Sequence, residues 1–248
     1  MRDKKLKSMK KIKLILFSLV AIVFVACTDD TNQYSNQLFT DSELNRAFRQ
    51  CLTQSADTAN SHLCIPNSDE FGFSNYADEI YKIGLPTNIL YLADTLTAYG
   101  LGDKIDTLIQ KTNFAAELCG NGLKTYYTDL FSTMVFENPN NLLNGDTTAI
   151  TTYFEKNYYQ SFVARSQSLL EVNFALHGVN DAWNDVLNVY FMQTGQIVSV
   201  DYLNHVAQTM TKAFIQEMKL EETLIRNNVN RRGATTSKLY EVFATIDK

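Results

Sequence analysis

The sequence predicts an all-α fold: a single multi-helix bundle of about seven or eight helices, two of them long. Three observations carry this. The 248 residues include only three Pro and ten Gly, too few turn formers for a domain of many short strands. Apolar residues recur at three- and four-residue steps over long stretches, which is the helical period. No segment shows the strict apolar/polar alternation of a half-buried strand.

Residues 1–26 read as a secretory signal. Lys10, Lys11 and Lys13 precede thirteen apolar or small residues, Leu14 to Ala26, the charged and hydrophobic regions of such a leader. The run is shorter than the ~20 residues a spanning helix needs. Met1 and Met9 both stand where a start could lie, since residues 9–27 already form a complete signal. Val23-Phe24-Val25-Ala26-Cys27 resembles a bacterial lipobox, in which the Cys27 thiol takes a diacylglyceryl group and becomes the new N-terminus. Each buried methylene of an acyl chain such as palmitate contributes ~0.8 kcal/mol, so several chains would hold the protein firmly. Residues 27–39 are polar and expected to be a flexible tether. Thr28-Asp29-Asp30 resembles the acidic export tag of some surface lipoproteins. The expected address is the cell envelope, at the outer membrane, with the periplasmic and the outward face both open.

The leader hides the charge of the rest. Residues 1–26 hold seven of the 22 Lys/Arg and one of the 27 Asp/Glu, so residues 27–248 carry 15 basic and 26 acidic side chains, a net of −11. Such a domain does not seek phosphate backbones, so no nucleic-acid partner is expected. It also avoids anionic lipid, which leaves membrane contact to the acyl anchor.

Residues 40–248 are expected to form the helical domain. Thr40 and Glu43 stand at capping-box spacing at the start of a helix running to about residue 59. Residues 60–85 are the least regular part, with a short helix around 77–83. Pro86 suits the first turn of a helix reaching about residue 99, ended by Gly100 and Gly102. A long helix over about 103–134 carries Ile105, Ile109, Thr112, Ala116, Cys119, Leu123, Tyr126 and Leu130 on one stripe. Gly120 and Gly122 interrupt it and imply a kink or a close neighbouring helix. Asn138-Pro139-Asn140 breaks the chain. Asp146 or Thr147 caps a helix through residue 154. Helices over about 158–176 and 179–193 meet at His177-Gly178, and Gly195 ends the pair. Asp201 opens the second long helix, to about residue 228. A turn at Arg231-Arg232-Gly233 leads to a last helix over 235–246, bearing Leu239, Val242, Phe243 and Ile246.

Three cysteines remain besides Cys27. An envelope compartment permits disulfides, and a Cys51–Cys64 bond would pin the irregular segment to the first helix, with free thiols as the alternative. Cys119, on an apolar stripe, reads as an inert core thiol.

Asn113-Phe114-Ala115-Ala116-Glu117 resembles an Asn-Arg-Ala-Ala-Glu motif. Leu142-Leu143-Asn144-Gly145, then Ala149-Ile150-Thr151-Thr152-Tyr153-Phe154, resembles a loop-and-helix motif of the form Ile-Leu-x-Gly then Ala-Ala-Thr-x-Tyr-Phe. Glu221-Glu222-Thr223-Leu224-Ile225-Arg226, followed by Arg231, Leu239 and Val242-Phe243, resembles a C-terminal signature. Together, over about residues 40–245, they resemble the helical bacterial envelope family catalogued as domain of unknown function 4197. The resemblance implies a secreted or lipid-anchored all-helical domain and no known activity. Phe114 stands where that motif has Arg, Asn138-Pro139 where an Asp-Ala pair is usual, and Asn228-Val229 where a Pro-containing turn is usual.

No nucleophile elbow, phosphate loop, dinucleotide fingerprint or Cys-x-x-Cys pair is present, and His62, His177 and His205 fall in no metal-binding motif. No cofactor, metal or catalytic residue is assigned. The carboxylates are more informative. On the 201–228 helix, Leu203, Ala207, Met210 and Phe214 form an apolar stripe that continues into Glu217 and Glu221 before Leu224. Two carboxylates one turn apart on a partly buried face would repel unless a cation or hydrogen bond intervened. Arg226 and Arg231 are near in sequence, and Asn113 and Glu117 project from the other long helix. One reading is an interhelical Glu–Arg network that fixes helix register. The other is an acidic ligand site, or a hydrolase or cation-dependent centre, around Glu117 and Glu221. Thirteen Tyr and fifteen Phe, several in adjacent pairs, should pack the core and could line a groove for lipid, glycan or peptide. The leading expectation is a lipid-anchored, non-catalytic binding or assembly module that engages an envelope protein or apolar ligand.

Overall fold

The computed structural model describes residues 38–68, 70–74 and 81–246. The signal, Cys27, nearly all of the tether and most of the short helix expected around 77–83 lie outside them. The unit beginning at Asp41 is all-α: among the described residues there are nine α-helices and no strand.

The chain forms α1 (Asp41–Leu63), a 3₁₀ turn (Thr87–Ile89), α2 (Tyr91–Ala98), α3 (Gly102–Glu117), α4 (Gly120–Thr133), α5 (Pro139–Leu143), α6 (Ala149–Leu176), α7 (Val179–Thr194), α8 (Tyr202–Asn227), a 3₁₀ turn (Val229–Arg231), α9 (Lys238–Phe243) and a closing 3₁₀ turn (Ala244–Ile246). α8 is the central helix, packed against both α1 and α6. α4 and α9 also pack on α1, and α7 packs on α3. The core is aromatic: Phe48, Phe131, Phe154, Phe162, Phe214, Phe243 and Tyr127 are fully buried. Phe131 meets Phe154 edge-on at 5.3 Å and 88°, a geometry that adds ~0.5–1.5 kcal/mol to area burial. Of the adjacent aromatic pairs, Tyr127, Phe154 and Tyr190 are buried while Tyr126 and Tyr153 are half-buried at the helix flank and Phe191 is exposed, so each of these pairs has one buried member. Tyr158 and Tyr159 are both half-buried instead.

Several boundaries differ from expectation. α1 runs to Leu63 because Ala59 and Leu63 continue its buried stripe. The helix expected over 103–134 is two helices: Leu118 and Cys119 form the joint, and Gly120 opens α4. A Cβ on Gly120 would stand 2.7 Å from Cys64 Cβ, so the bare glycine lets α4 seat on the end of α1. The helices expected to end at 154 and to begin at 158 are one, α6, and it rather than 103–134 is the longest. Pro139 does not only break the chain: it occupies the first turn of α5, where its missing N–H has no helical partner to lose. Gly178 joins α6 to α7 with φ +67°, as expected of a helix-ending glycine.

The expected Cys51–Cys64 disulfide is absent: Cys51, Cys64 and Cys119 are free thiols. The extra turn of α1 is the reason. Thirteen residues of helical rise put the two Cα atoms roughly 20 Å apart, against an upper limit of about 7 Å for a bridge. Cys51 instead faces Glu222 and Arg226, and burial raises its pKa. Cys119 is a core thiol, pushed up to about 12 chiefly by burial.

Candidate functional site

The residues singled out from sequence form a buried polar framework in two halves. The first surrounds the C-terminal part of α8. The apolar stripe passes from Phe214 to Met218 and Ile225, whereas Leu224 points outward, 47 % exposed. Glu217, Glu221 and Glu222 are all buried, so each carboxylate must find a partner.

Each does. Glu217 accepts from Tyr81 Oη and pairs with His62 Nδ1 at 2.8 Å; the His62 ring stacks on Phe71 at 4.8 Å. Glu221 binds Arg231 through both oxygens, and Gln54 Nε2 donates to Glu221 Oε1 at 3.0 Å and to the Arg231 carbonyl. Glu222 accepts from the N–H of Ile150 (3.0 Å) and Thr151 (2.7 Å), the opening turn of α6. A helix N-terminus offers unbonded N–H groups and partial positive charge, which a carboxylate complements. Asp146 and Thr147 were the expected caps. Asp146 instead bonds Thr148 N–H and Oγ1, and the helix is capped from α8.

Arg226 completes the arrangement from one turn further along α8. Its Nε meets Glu222 Oε1 at 3.0 Å, and its two terminal nitrogens donate to the Leu143 and Leu142 carbonyls at 3.0 and 2.9 Å. Its guanidinium lies 5.2 Å from the Phe243 ring centre, within cation–π range. Arg232, fully buried, donates to the carbonyls of Ile225 and Arg226 at 2.8 Å each, closing the end of α8.

The second half lies on α3. Asn113 clasps Ile83 through both backbone groups: Oδ1 accepts its N–H at 2.8 Å and Nδ2 donates to its carbonyl at 2.9 Å. Glu117 Oε1 accepts from Ser74 N–H at 2.6 Å. Its Oε2 is buried without a hydrogen-bond partner. Burial holds this carboxyl above the usual carboxylate range, with the Ser74 and Phe73 N–H groups pulling the other way. A Cβ on Gly72 would fall 2.6 Å from Oε1, so the chain passes tightly over the acid.

Glu117 and Glu221 therefore share no partner. Glu117 is bound to residues 72–74, and Glu221 joins α8 to α1 and the Arg231 turn. Asn113, Glu117 and Glu217 each fasten part of the segment between α1 and α2. Arg226 serves Glu222, not Glu217 or Glu221. Sequence reasoning missed Glu222 and Arg232; the i,i+4 spacing of Glu222 and Arg226 was the available signal. No group of three or more His, Cys, Asp or Glu poised for a metal occurs among the described residues. His205 Nε2 lies 3.1 Å from the Gly84 carbonyl, and burial lowers its pKa; Asp201 is used by Asn204 N–H.

Two open cavities flank the framework. One, ≈ 720 Å³, runs between α1 and α4 past Arg46, Arg49, Gln54 and Asp57. The other, ≈ 750 Å³, is bordered by Ser74, Lys82, Lys111, Asn113 and Phe114. Phe114, the departure from the Arg of the motif, packs edge-on against His177 at 5.4 Å. Neither Glu117 nor Glu221 lines either one.

A family model described as a protein of unknown function, DUF4197, matches residues 38–244. Neither a curated protein nor a solved structure gave a match.

Proposed function

We propose that this chain, which belongs to that DUF4197 family, is a non-catalytic binding module tied to a bacterial envelope membrane by lipid on Cys27. The observation that carries the reading is the use of its acids. Glu217, Glu221 and Glu222 are each bound to a cation, a His or a helix end. Glu117 is bound to a backbone amide. A general acid or nucleophile must reach its substrate, and none of these four acids lines either of the two cavities described. The grooves are lined instead by side chains suited to holding a ligand.

The address rests on the leader. A basic stretch, a thirteen-residue apolar run and a lipobox-like Cys27 supply the signal and its anchor. No helix among the described residues is long and apolar enough to cross a membrane, so acyl chains are the proposed attachment. The net of −11 beyond residue 26 favours a domain standing off from anionic lipid.

A Cys27→Ser variant tests the anchor. The wild-type chain should sediment with envelope membranes and carry an acylated N-terminal Cys27 by mass spectrometry; the variant should lose both. Unchanged fractionation and processed mass in the variant would refute the reading. Affinity capture from envelope extract with the anchored form identifies what the module holds.

A further inference from the structure

We infer that the groove between α1 and α4 is a binding site for an anionic oligosaccharide, with Arg46 and Arg49 taking its carboxylate or phosphate. The inference deepens the binding-module reading and rests on it only in treating the groove as a place of capture.

The groove follows from helical spacing. Arg46, Arg49, Thr53, Asp57 and Ser61 lie along one face of α1, and Thr128 and Ser132 face them from α4, above buried Phe131. From Arg46 to Ser61 the helix rises about 22 Å, longer than one sugar ring. Gln50, Gln54 and Thr58 fill the α1 wall between these positions. The polar groups of the lining are thus mainly hydroxyls and amides, which both donate and accept, although the Gln54 nitrogen is already given to Glu221 and the Arg231 carbonyl and the Gln50 oxygen to Leu239 N–H. They suit the hydroxyls of a sugar chain. A peptide would want apolar side-chain pockets, and the one large apolar residue here, Phe131, is fully buried.

Charge marks one end. Several cations of the described residues meet a carboxylate: Lys104 with Asp185, Lys124 with Asp57, Lys219 with Glu155, Arg226 with Glu222, Arg231 with Glu221, and Lys238 with Glu43 and Glu241. Arg49 does not. Its Nε and Nη1 donate to the carbonyls of Met134 and Ser132 at 2.7 and 3.2 Å, which fix the guanidinium in place and leave its charge uncompensated. Arg46, one turn back and exposed, makes no hydrogen bond or ion pair among the described residues. At the other end Asp57 Oδ1 accepts from Tyr127 Oη at 2.6 Å and Lys124 Nζ at 3.0 Å, so its charge is answered locally. Two arginines one helical turn apart on the same groove, neither paired with a carboxylate, in an acidic domain, suit an oxyanion of the kind Arg serves best.

The test is calorimetric titration of the full chain in detergent with oligogalacturonate and with a phosphorylated mannan oligosaccharide. Methyl-esterified oligogalacturonate, polyglutamate and inorganic phosphate serve as comparisons. Binding of either anionic oligosaccharide is expected, weakened about tenfold or more in Arg46→Gln, and lost in Thr58→Tyr, which obstructs the groove without changing charge. Circular dichroism should show both variants folded. The inference fails if neither oligosaccharide binds. It also fails if the ester, polyglutamate or phosphate binds as tightly, or if both variants bind like wild type. Chromatography of the oligosaccharide after incubation separates the two readings: cleavage would sink the non-catalytic module and leave the groove standing.

Discussion

Glu222 and Arg226, one turn apart on α8, pair at 3.0 Å while each grips a different neighbouring helix. Glu222 holds the opening amides of α6 and Arg226 holds the closing carbonyls of α5. The pair therefore fixes the α5–α6 turn against the central helix. Removing one partner of a buried, hydrogen-bonded pair strands the other charge and typically costs about 3–5 kcal/mol. Glu222→Ala should be destabilised by that order in urea unfolding. Glu222→Gln, which keeps the shape and one acceptor, should lose less. Equal stability of Glu222→Ala and wild type would contradict the role.

Glu117 supplies a pH signature. Its carboxyl is held above the ordinary value of 4.5 by burial, so the folded chain holds that proton more tightly than the unfolded one. The sign follows from linkage. Its contribution to stability is largest below about pH 4.5 and is lost as pH rises through the elevated folded value. Glu117→Gln should remove that decline, so its stability relative to wild type should improve as pH rises from about 4.5 to about 7. A difference independent of pH would show that burial does not perturb this acid.

The fold class was legible because helical period and the scarcity of Pro and Gly are local properties, and so were the Gly178 joint and the Asp201 cap. The site was legible only in part. Continuing the α8 stripe identified Glu217 and Glu221 as buried acids. It also placed Leu224 inward, because a straight projection of the stripe does not register that Glu222 and Arg226 occupy the inner face. The continuity of α6 was hidden by the polar run near residues 155–157, which is simply its solvent side. Pairing is a tertiary fact. Nothing near Asn113 announces that it will clasp Ile83, thirty residues away.

The thiols give a chemical test of α1. A helix unbroken to Leu63 forbids a Cys51–Cys64 bridge, so non-reducing peptide mapping of the oxidised protein should show no such linked pair. Cys51 and Cys119, both buried, should resist alkylation until the chain unfolds. A recovered Cys51–Cys64 peptide would mean that α1 ends earlier.

Gly120 tests the close approach of α4 to α1. Alanine would gain up to about 1 kcal/mol in helix propensity. Its Cβ, however, would press on Cys64 Cβ at 2.7 Å, with Asn60 Oδ1 at 3.2 Å and the Cys64 carbonyl at 3.3 Å. Backbone neighbours yield poorly, and overpacking costs about 1–3 kcal/mol. Gly120→Ala should therefore be less stable than wild type in thermal unfolding, and a rise in midpoint would show that α1 moves freely.

Whether the buried polar groups serve as scaffold is tested most directly by amide hydrogen exchange, read peptide by peptide. In the wild-type chain the amides of Ser74, Ile83, Ile150 and Thr151 should be protected by Glu117, Asn113 and Glu222. Asn113→Ala should release Ile83 alone, and Glu222→Gln should quicken Ile150 and Thr151 while the distant core stays closed. Free exchange of these amides in the wild type, or unaltered protection in both variants, would leave the acids without a structural duty and return them to candidacy for chemistry.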